Sequence, residues 1–515
     1  NVLTKGLAAS PGAASGQVAL DAQTAVELSK QGKRVVLVTK ETSPDDIHGM
    51  SAASGLLTAR GGRTSHAAVV GRQMGKVCVV GAEEIRVDLA SRTFSVADEV
   101  IHEGDFISID GFEGKVYKGD IPVVASEVIQ VMQGNMKEVS SERYLIFSTI
   151  LKWADTFRRL KIRTNADVPS DAKVAMKFGA EGIGLCRTEH MFFAEDRIKI
   201  MQEMILSTNL KDRVKNLNKL QKMQKEDFVS LFTTMKGFPC TIRLLDPPLH
   251  EFLPKREDLM LEVKELELLG TDKKKLEETR SILERVEELH EFNPMLGLRG
   301  CRLGNTMPEI TSMQARAIFE AAIEVSKKKI KVVPEIMIPL VGMVTEFKMQ
   351  KDIINQVAKE VLGKKKIAYT VGTMIEVPRA TTVADQIAKE AEFFSFGTND
   401  LTQTVFAYSR DDAGKFINHY LETKVELDGK NVEILSKDPF TSIDIEGVGE
   451  LMKLGLNKGK SARKNLKVGI CGEHGGDPSS IDFCHEIGLD YVSCSPFRVP
   501  IARLAAARIA IKEAN

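Results

Sequence analysis

Three arginines lie within or just after short runs of β-branched and apolar residues. They are Arg187, Arg243 and Arg299. If each run is a strand of one sheet, the three guanidinium groups meet at one edge, where planar bidentate donors suit phosphate and carboxylate. The alternative is a set of surface ion pairs, which three arginines in one ring make less favourable. The pattern predicts a site for a small dianionic substrate.

Two carboxylates follow two neighbouring runs of the same kind. Glu376 comes directly after 369–375, and Asp400 comes shortly after 393–396. Adjacent strands would place both carboxylates side by side, with room for waters and substrate oxygens, which is how Mg²⁺ is usually held. A structural acid pair is the alternative. We predict that Glu376 and Asp400 bind Mg²⁺.

Cys471 follows another such run, 467–470, and precedes Gly472. A thiol with an ordinary pKa of about 8.5 is protonated at neutral pH and can act as a general acid. Most single cysteines are inert core residues. Because Cys471 has glycines close by at a strand end, we expect it to be exposed at the same edge as the arginines.

His66 follows a glycine-rich turn in the N-terminal part of the chain. The glycines at 61–62 allow a tight turn, Thr64 or Ser65 can cap a helix, and Ala and Val residues continue that helix to Gly75. A helix N-terminus stabilises an anion, and a neutral imidazole is nucleophilic. A surface or capping histidine is the commoner alternative on residue type alone.

The elements that must position these residues alternate between strand-like runs and longer helical segments after residue 157, which is the pattern of repeated βα units. Eight such units in this length favour an α/β fold with a (β/α)₈ TIM barrel over an open doubly wound sheet. The predicted strands are 160–163, 182–186, 241–245, 295–299, 336–340, 369–375, 393–396 and 467–470.

We expect three regions along the chain. Residues 1–125 show short β-like runs divided by turn residues, 126–157 has helical periodicity and is interpreted as a linker, and 158–515 forms the barrel. An insertion at about 251–291, rich in Lys and Glu, predicts a solvated helical hairpin, with a partner surface as the alternative.

Composition excludes several classes of protein. The 71 basic residues balance 71 acidic ones, so no global field favours nucleic acid or an anionic membrane. No window resembles a membrane span, and the seven dispersed cysteines lack a CxxC pair, which favours the reducing cytoplasm. The first residue is Asn1 rather than Met, so we expect a piece of a longer polypeptide.

The segment around His66 resembles the phosphohistidine swivelling domain shared by pyruvate phosphate dikinase, phosphoenolpyruvate synthase and enzyme I of the sugar phosphotransferase system. The run that carries the resemblance is Gly61-Gly62-Arg63-Thr64-Ser65-His66-Ala67-Ala68. The resemblance implies a small β/β/α domain and a phosphorylated His66. Thr64 is similar to a position phosphorylated for regulation in plant dikinases, with an ordinary helix cap as the alternative.

The strand-end segments resemble the phosphoenolpyruvate-utilising barrel, so the resemblance extends over nearly the whole chain. It implies that Cys471 protonates the pyruvate enolate and that Mg²⁺ is held by Glu376 and Asp400. The substrate-binding residues it implies are Arg187, Arg243, Arg299, Glu376, Gly397, Thr398, Asn399, Asp400 and Arg410.

Within this family, the run Arg243-Leu244-Leu245-Asp246-Pro247-Pro248 resembles pyruvate phosphate dikinases. These enzymes interconvert ATP, phosphate and pyruvate with AMP, pyrophosphate and phosphoenolpyruvate, and carry an ATP-grasp domain that we do not find here. The resemblance therefore implies the pyruvate half-reaction, a swivelling first domain and a homodimer formed through the barrel. The alternatives are phosphoenolpyruvate synthase, enzyme I, or a catalytically dead regulatory homologue.

Overall fold

The computed structural model describes residues 2–42, 46–62, 65–124, 126–270, 272–410 and 412–514. The chain forms two compact units, one made of 1–157 with 406–444 and the other of 158–405 with 445–515. We expected 158–515 to form one uninterrupted domain. Residues 406–444 differ from that expectation because their described part contributes no strand to the barrel and groups instead with the first unit.

The first unit is built on a mixed sheet whose centre is fully buried. The runs Val35–Thr39 and Val77–Val80 are buried at every position, as expected for parallel strands covered on both faces. The strands in spatial order are Val2–Lys5, Lys115–Lys118, Phe106–Asp110, Ala13–Ala19, Val35–Thr39, Gly55–Thr58, Val77–Val80 and Leu7–Ser10. A smaller antiparallel sheet contains Arg86–Asp88, Thr93–Val96 and Glu99–His102.

Helices of the first unit begin at recognisable caps in places. Asp21, for example, accepts a hydrogen bond from the backbone N–H of Thr24 at 2.7 Å and so caps the helix Ala22–Lys30. The other helices of this unit are Ile47–Ala52, His66–Gln73, Glu127–Gln133, Glu142–Phe157 and Ile417–Glu422, and Lys424–Leu427 pairs with Lys430–Glu433 in a hairpin.

The second unit is a closed barrel of parallel strands, as the alternation of strands and helices predicted. Closure is seen at Lys161–Asn165, which pairs with Ile183–Arg187 on one side and Tyr491–Cys494 on the other. In the described part of the chain the eight barrel strands, first to eighth, are Lys161–Asn165, Ile183–Arg187, Pro239–Arg243, Val333–Ile338, Thr370–Ile375, Phe393–Phe396, Lys467–Ile470 and Tyr491–Cys494.

The predicted strand at 295–299 was wrong. Pro294–Leu296 forms a 3₁₀ turn, and Gly300 has a φ of +57°, a conformation that ends extended structure. The fourth barrel strand is Val333–Ile338, and the eighth, Tyr491–Cys494, was missing from the prediction.

The barrel interior contains a buried ionic cluster. Glu335 of the fourth strand accepts hydrogen bonds from Arg163 at 2.7 Å, Thr241 at 2.8 Å and Lys467. The Arg163 guanidinium lies 4.2 Å from the centre of the Tyr491 ring. Because each charge has a partner, these groups tie the first, third, fourth, seventh and eighth strands together.

Helices surround the barrel. Two of them, Arg256–Leu269 and Lys273–Leu289, form a hairpin in the predicted insertion, joined by ion pairs such as Lys275–Glu262 at 2.7 Å. The others are Pro169–Lys177, Glu195–Leu206, Leu210–Met235, Gly300–Thr306, Pro308–Lys327, Val344–Leu362, Pro378–Thr382, Ala384–Glu390, Thr398–Phe406, Glu450–Ala462, Pro478–Glu486 and Val499–Ala514. Among the helices described, none combines the length and hydropathy needed to cross a bilayer.

Candidate active site

Arg243 closes the third barrel strand and is held between two carboxylates. Its Nη1 lies 2.9 Å from Asp246 Oδ2, and its Nη2 donates to Glu189. All three side chains are buried, so the charges interact with little solvent screening. The guanidinium is therefore fixed in place, with its Nε making no hydrogen bond to any described group.

Arg299 reaches the same carboxylate from a different element. It precedes the helix Gly300–Thr306, and its guanidinium donates to Asp246 at 2.7 Å and to Asp400 at 3.2 Å. Gly300 allows this approach, because a Cβ there would come within 2.8 Å of Leu340 Cβ. Arg299 thus joins the site although the strand predicted to carry it does not exist.

Arg187 is the last residue of the second strand, and its side chain is half-buried. Within the described part of the chain, its guanidinium makes no hydrogen bond or ion pair; only its backbone N–H is engaged, with Asp167 at 2.5 Å. Its guanidinium, unlike those of Arg243 and Arg299, is therefore not bound to a carboxylate among the described residues.

Asp246 shows that the three arginines converge. Burial by itself would raise the pKa of this carboxyl, but the charges of Arg243, then Arg299, and more weakly Arg187 hold the pKa below its ordinary value. Sequence reasoning nominated the arginines and missed Asp246 and Glu189, although Asp246 stands in the quoted run after the third strand.

Glu376 follows the fifth strand and is almost completely buried. Its Oε1 accepts a hydrogen bond from the backbone N–H of Leu340 at 2.6 Å, whereas its Oε2 has no partner among the described groups. Burial raises the pKa of Glu376 well above its ordinary value, and the charges of Asp400 and Asp246 raise it further against two opposing arginines. Burial and the neighbouring carboxylates therefore disfavour the ionised form of Glu376 unless a cation balances its charge.

A divalent cation fits this donor set. Glu376 Oε2 and Asp246 Oδ1 are buried without partners, and Asp400 lies close enough to act on the pKa of Glu376. Among the described residues there is no preformed cage of three or more His, Cys, Asp or Glu side chains. Mg²⁺ commonly takes one or two carboxylates and completes its shell with water and substrate oxygens, so two carboxylates are sufficient.

Cys471 follows the seventh strand but is buried, contrary to the expected exposure. Only 1% of it is exposed, and it packs in a cluster with Leu185, Met337, Met374 and Phe393. The pKa of the Cys471 thiol is raised to about 11, and burial is the main cause. The thiol therefore stays protonated across the physiological range, which suits a proton donor better than the ordinary pKa assumed from sequence.

Gly397 connects the sixth strand to the helix Thr398–Phe406, and Thr398, Asn399 and Asp400 lie in the first turn of that helix. The Thr398 hydroxyl lies 2.7 Å from Nδ1 of the buried His474, and Asn399 Oδ1 accepts from the backbone N–H of residue 473 at 3.1 Å. A Cβ on Gly397 would stand 2.7 Å from Glu376 Oε2. This connection has no spare volume, and His474 is a supporting residue that sequence reasoning missed.

The remaining predicted residues belong to the first unit. His66 is the first residue of the helix His66–Gln73, and Ser65 precedes that helix without a side-chain capping bond. Arg410 lies in the 406–444 segment, so its predicted role in substrate binding stays a prediction. Thr64 lies outside the described residues.

Two family descriptions match the chain. "PEP-utilising enzyme, PEP-binding domain" matches residues 141–511, and "PEP-utilising enzyme, mobile domain" matches residues 31–114. The first match covers the barrel and every arginine and carboxylate of the site.

Curated relatives are similar over 99% of this chain. Three of them are named pyruvate, phosphate dikinase: one from Rhizobium meliloti at 53% identity, one from Clostridium symbiosum at 52%, and a chloroplastic one from Arabidopsis thaliana at 53%. The matched region is 54%, 55% and 50% of these relatives, respectively, so the chain spans about half the length of the relatives it matches.

Proposed function

Because the chain belongs to the family of phosphoenolpyruvate-utilising enzymes, we propose that it transfers a phosphoryl group between His66 and pyruvate or phosphoenolpyruvate. The observation that carries the proposal is the convergence of Arg187, Arg243 and Arg299 on Asp246 at the carboxyl ends of the barrel strands. The names of the relatives support the same reaction.

Substrate recognition follows from the charges of the site. Phosphoenolpyruvate carries a phosphate and a carboxylate, and planar guanidinium groups match both. Arg243 and Arg299 are already fixed by carboxylates, so they present oriented donors at little entropic cost. Arg187 supplies the donors that no described protein group uses, and we assign it, with Arg243, to the phosphoryl group.

The proposed transfer breaks the bond between phosphorus and the enol oxygen and forms a bond between phosphorus and a ring nitrogen of His66. The electron pair left on the enol oxygen makes the pyruvate enolate. Arginine donors held at fixed positions stabilise the charge on the phosphoryl oxygens throughout the transfer. Mg²⁺ bound by Glu376 and Asp400 would supply charge neutralisation at the enolate oxygen.

Cys471 is the proposed acid for the second step. Its thiol gives a proton to carbon 3 of the enolate, which yields pyruvate and a thiolate that solvent reprotonates. A thiol with a pKa of about 11 remains protonated until the enolate forms, and a protonated thiol is a poor nucleophile towards the phosphoryl group. In the reverse direction the thiolate removes the proton from pyruvate.

A second proposal concerns a longer protein of which this chain would be one part. We propose that the half-reaction of this chain belongs to the dikinase reaction of ATP, phosphate and pyruvate, with an ATP-grasp domain as the partner that exchanges the phosphoryl group with His66. We also propose that the protein forms a homodimer through the barrel and is located in the cytoplasm. Phosphorylation of Thr64 is the proposed means of regulation.

Isotope exchange tests the half-reaction on the 515-residue chain itself. Labelled pyruvate, incubated with unlabelled phosphoenolpyruvate, Mg²⁺ and the protein, should give labelled phosphoenolpyruvate without any nucleotide. Arg243→Lys keeps the charge and loses the two-pronged geometry, and it should reduce exchange by about 100-fold. If the wild-type chain shows no exchange, or if the variant exchanges label at the wild-type rate, the proposal is contradicted.

A further inference from the structure

The Asp167 carboxylate is separate from the carboxylates that bind the arginine guanidinium groups, and it contacts both ends of one short segment. Asp167 follows the first barrel strand, and its Oδ1 accepts a hydrogen bond from the backbone N–H of Arg187 at 2.5 Å. Its Oδ2 lies 2.7 Å from Nδ1 of His190. Asp167 thus joins both ends of the turn formed by residues 187–190.

Side chains of this turn make several contacts within the candidate active site. Glu189 pairs with Arg243, and the Thr188 hydroxyl accepts a hydrogen bond from Gln314 Nε2 at 2.9 Å. Of the four side chains in this turn, the Arg187 side chain is the one without a partner among the described residues. Its direction is therefore set by the backbone of the turn and by the charges around it.

The charged groups that act on His190 lie in two places, Asp167 after the first barrel strand and Glu189 and Arg187 within the turn itself. Desolvation lowers the pKa of His190, whose side chain keeps 42% of its surface exposed, but the hydrogen bond and charge of Asp167 outweigh it. The charge of Glu189 adds to the effect of Asp167 and the charge of Arg187 opposes it, so the net pKa is raised. The pKa of Asp167 is lowered by His190 and Arg187 against burial. Both shifts favour the charged forms of the two groups, and the centre of the Phe193 ring lies 6.5 Å from the centre of the His190 ring.

The same two cations, His190 and Arg187, act on Asp167. We propose that protonated His190 occupies the Asp167 carboxylate and thereby keeps the Arg187 guanidinium available to an anionic ligand in the barrel. When His190 is neutral, the uncompensated carboxylate attracts Arg187 away from the ligand. Asp167 and His190 are positioning residues, and this inference rests on the proposed function because it takes phosphoenolpyruvate as the ligand.

The test compares KM for phosphoenolpyruvate in the exchange assay between wild type and His190→Gln from pH 6 to pH 9. The ratio of the two KM values cancels the ionisation of the substrate. We expect the variant to have a KM about fivefold higher at pH 6 and a ratio that falls towards one at pH 9, with similar kcat. His290→Gln is the matched control, since His290 is exposed and contacts the Phe292 ring.

A second variant and a spectroscopic reading separate the possible failures. In Asp167→Asn, the NMR titration of the His190 ring should move to lower pH than in wild type, whether or not the chain is active. A KM ratio that is constant with pH, or an unmoved His190 titration, overturns the proposed role of the Asp167–His190 pair while the exchange activity stands. A wild-type chain that neither exchanges label nor binds phosphoenolpyruvate overturns the proposed function together with its ligand.

Discussion

Gly397→Ala probes the arrangement of the carboxylates with a single methyl group. The added Cβ would stand 2.7 Å from Glu376 Oε2, 2.7 Å from Met374 Sδ and 2.8 Å from Met374 Cγ. Ordinary contacts between such atoms lie at about 3.3 Å or more, so the neighbours must move by roughly 0.5 Å. The methionine is adaptable, but the carboxylate is buried and hydrogen-bonded through its other oxygen to Leu340.

The displacement sets the expected magnitudes. Inserting a methyl group into a packed site costs about 1–3 kcal/mol of stability. A misplacement of about 1 Å in a catalytic group can cost about 100-fold in rate, so a shift of half that size predicts about a tenfold loss. The Mg²⁺ concentration that gives half-maximal exchange should also rise, because Glu376 is a proposed ligand.

Pyruvate–phosphoenolpyruvate exchange measured over a range of Mg²⁺ concentrations, with thermal unfolding alongside, tests this prediction. Gly455→Ala is the control: its Cβ would meet Thr381 and Phe396 at 3.4 Å and 3.5 Å, which are ordinary contacts, so neither rate nor Mg²⁺ dependence should change. If Gly397→Ala exchanges label within twofold of wild type with the same Mg²⁺ dependence, the crowding argument is refuted.

Three further predictions concern other groups. Lys467→Met leaves the buried Glu335 with fewer donors and should destabilise the chain by about 1–3 kcal/mol in urea unfolding; an unchanged midpoint would contradict the importance of this ion pair. Because Asp167 raises the pKa of His190, the extra stability of wild type over His190→Gln should be fully present below about pH 6.5 and lost as pH rises through the raised pKa, and a difference that grows with pH would be evidence against it. Iodoacetamide at pH 8 should leave Cys471 unmodified in the native chain and label it in urea, as peptide mass mapping would show.

The sequence predicted the barrel because βα alternation is a strong pattern, and it failed where an apolar run was not a strand. In the described chain, seven barrel strands overlap the predicted runs. Residues 295–299 have the apolar character of a strand, but Pro294 and the glycines at 297 and 300 turn the backbone instead. Tyr491–Cys494 was missed because the run 295–299 had already been assigned as one of the eight strands.

The site was predictable in its residue types but not in its pairing. Arg187 and Arg243 were found because chemistry in this fold lies at the carboxyl ends of strands. Asp246 and Glu189, which bind the Arg243 guanidinium, also lie shortly after strands, but nothing in the sequence shows with which arginine each of them pairs. The burial of Cys471 was likewise missed, since a flanking glycine indicates close packing as readily as exposure.

The central claim is that the phosphoryl group of phosphoenolpyruvate comes to rest on His66, and phosphate transfer to the protein tests it most directly. The chain is incubated with ³²P-labelled phosphoenolpyruvate and Mg²⁺, and the label is mapped by digestion in wild type and His66→Asn. We predict label that is stable in base and lost in acid, located on the peptide containing His66 and absent from the variant. Equal labelling of the variant, or an unlabelled wild-type chain, would contradict the account.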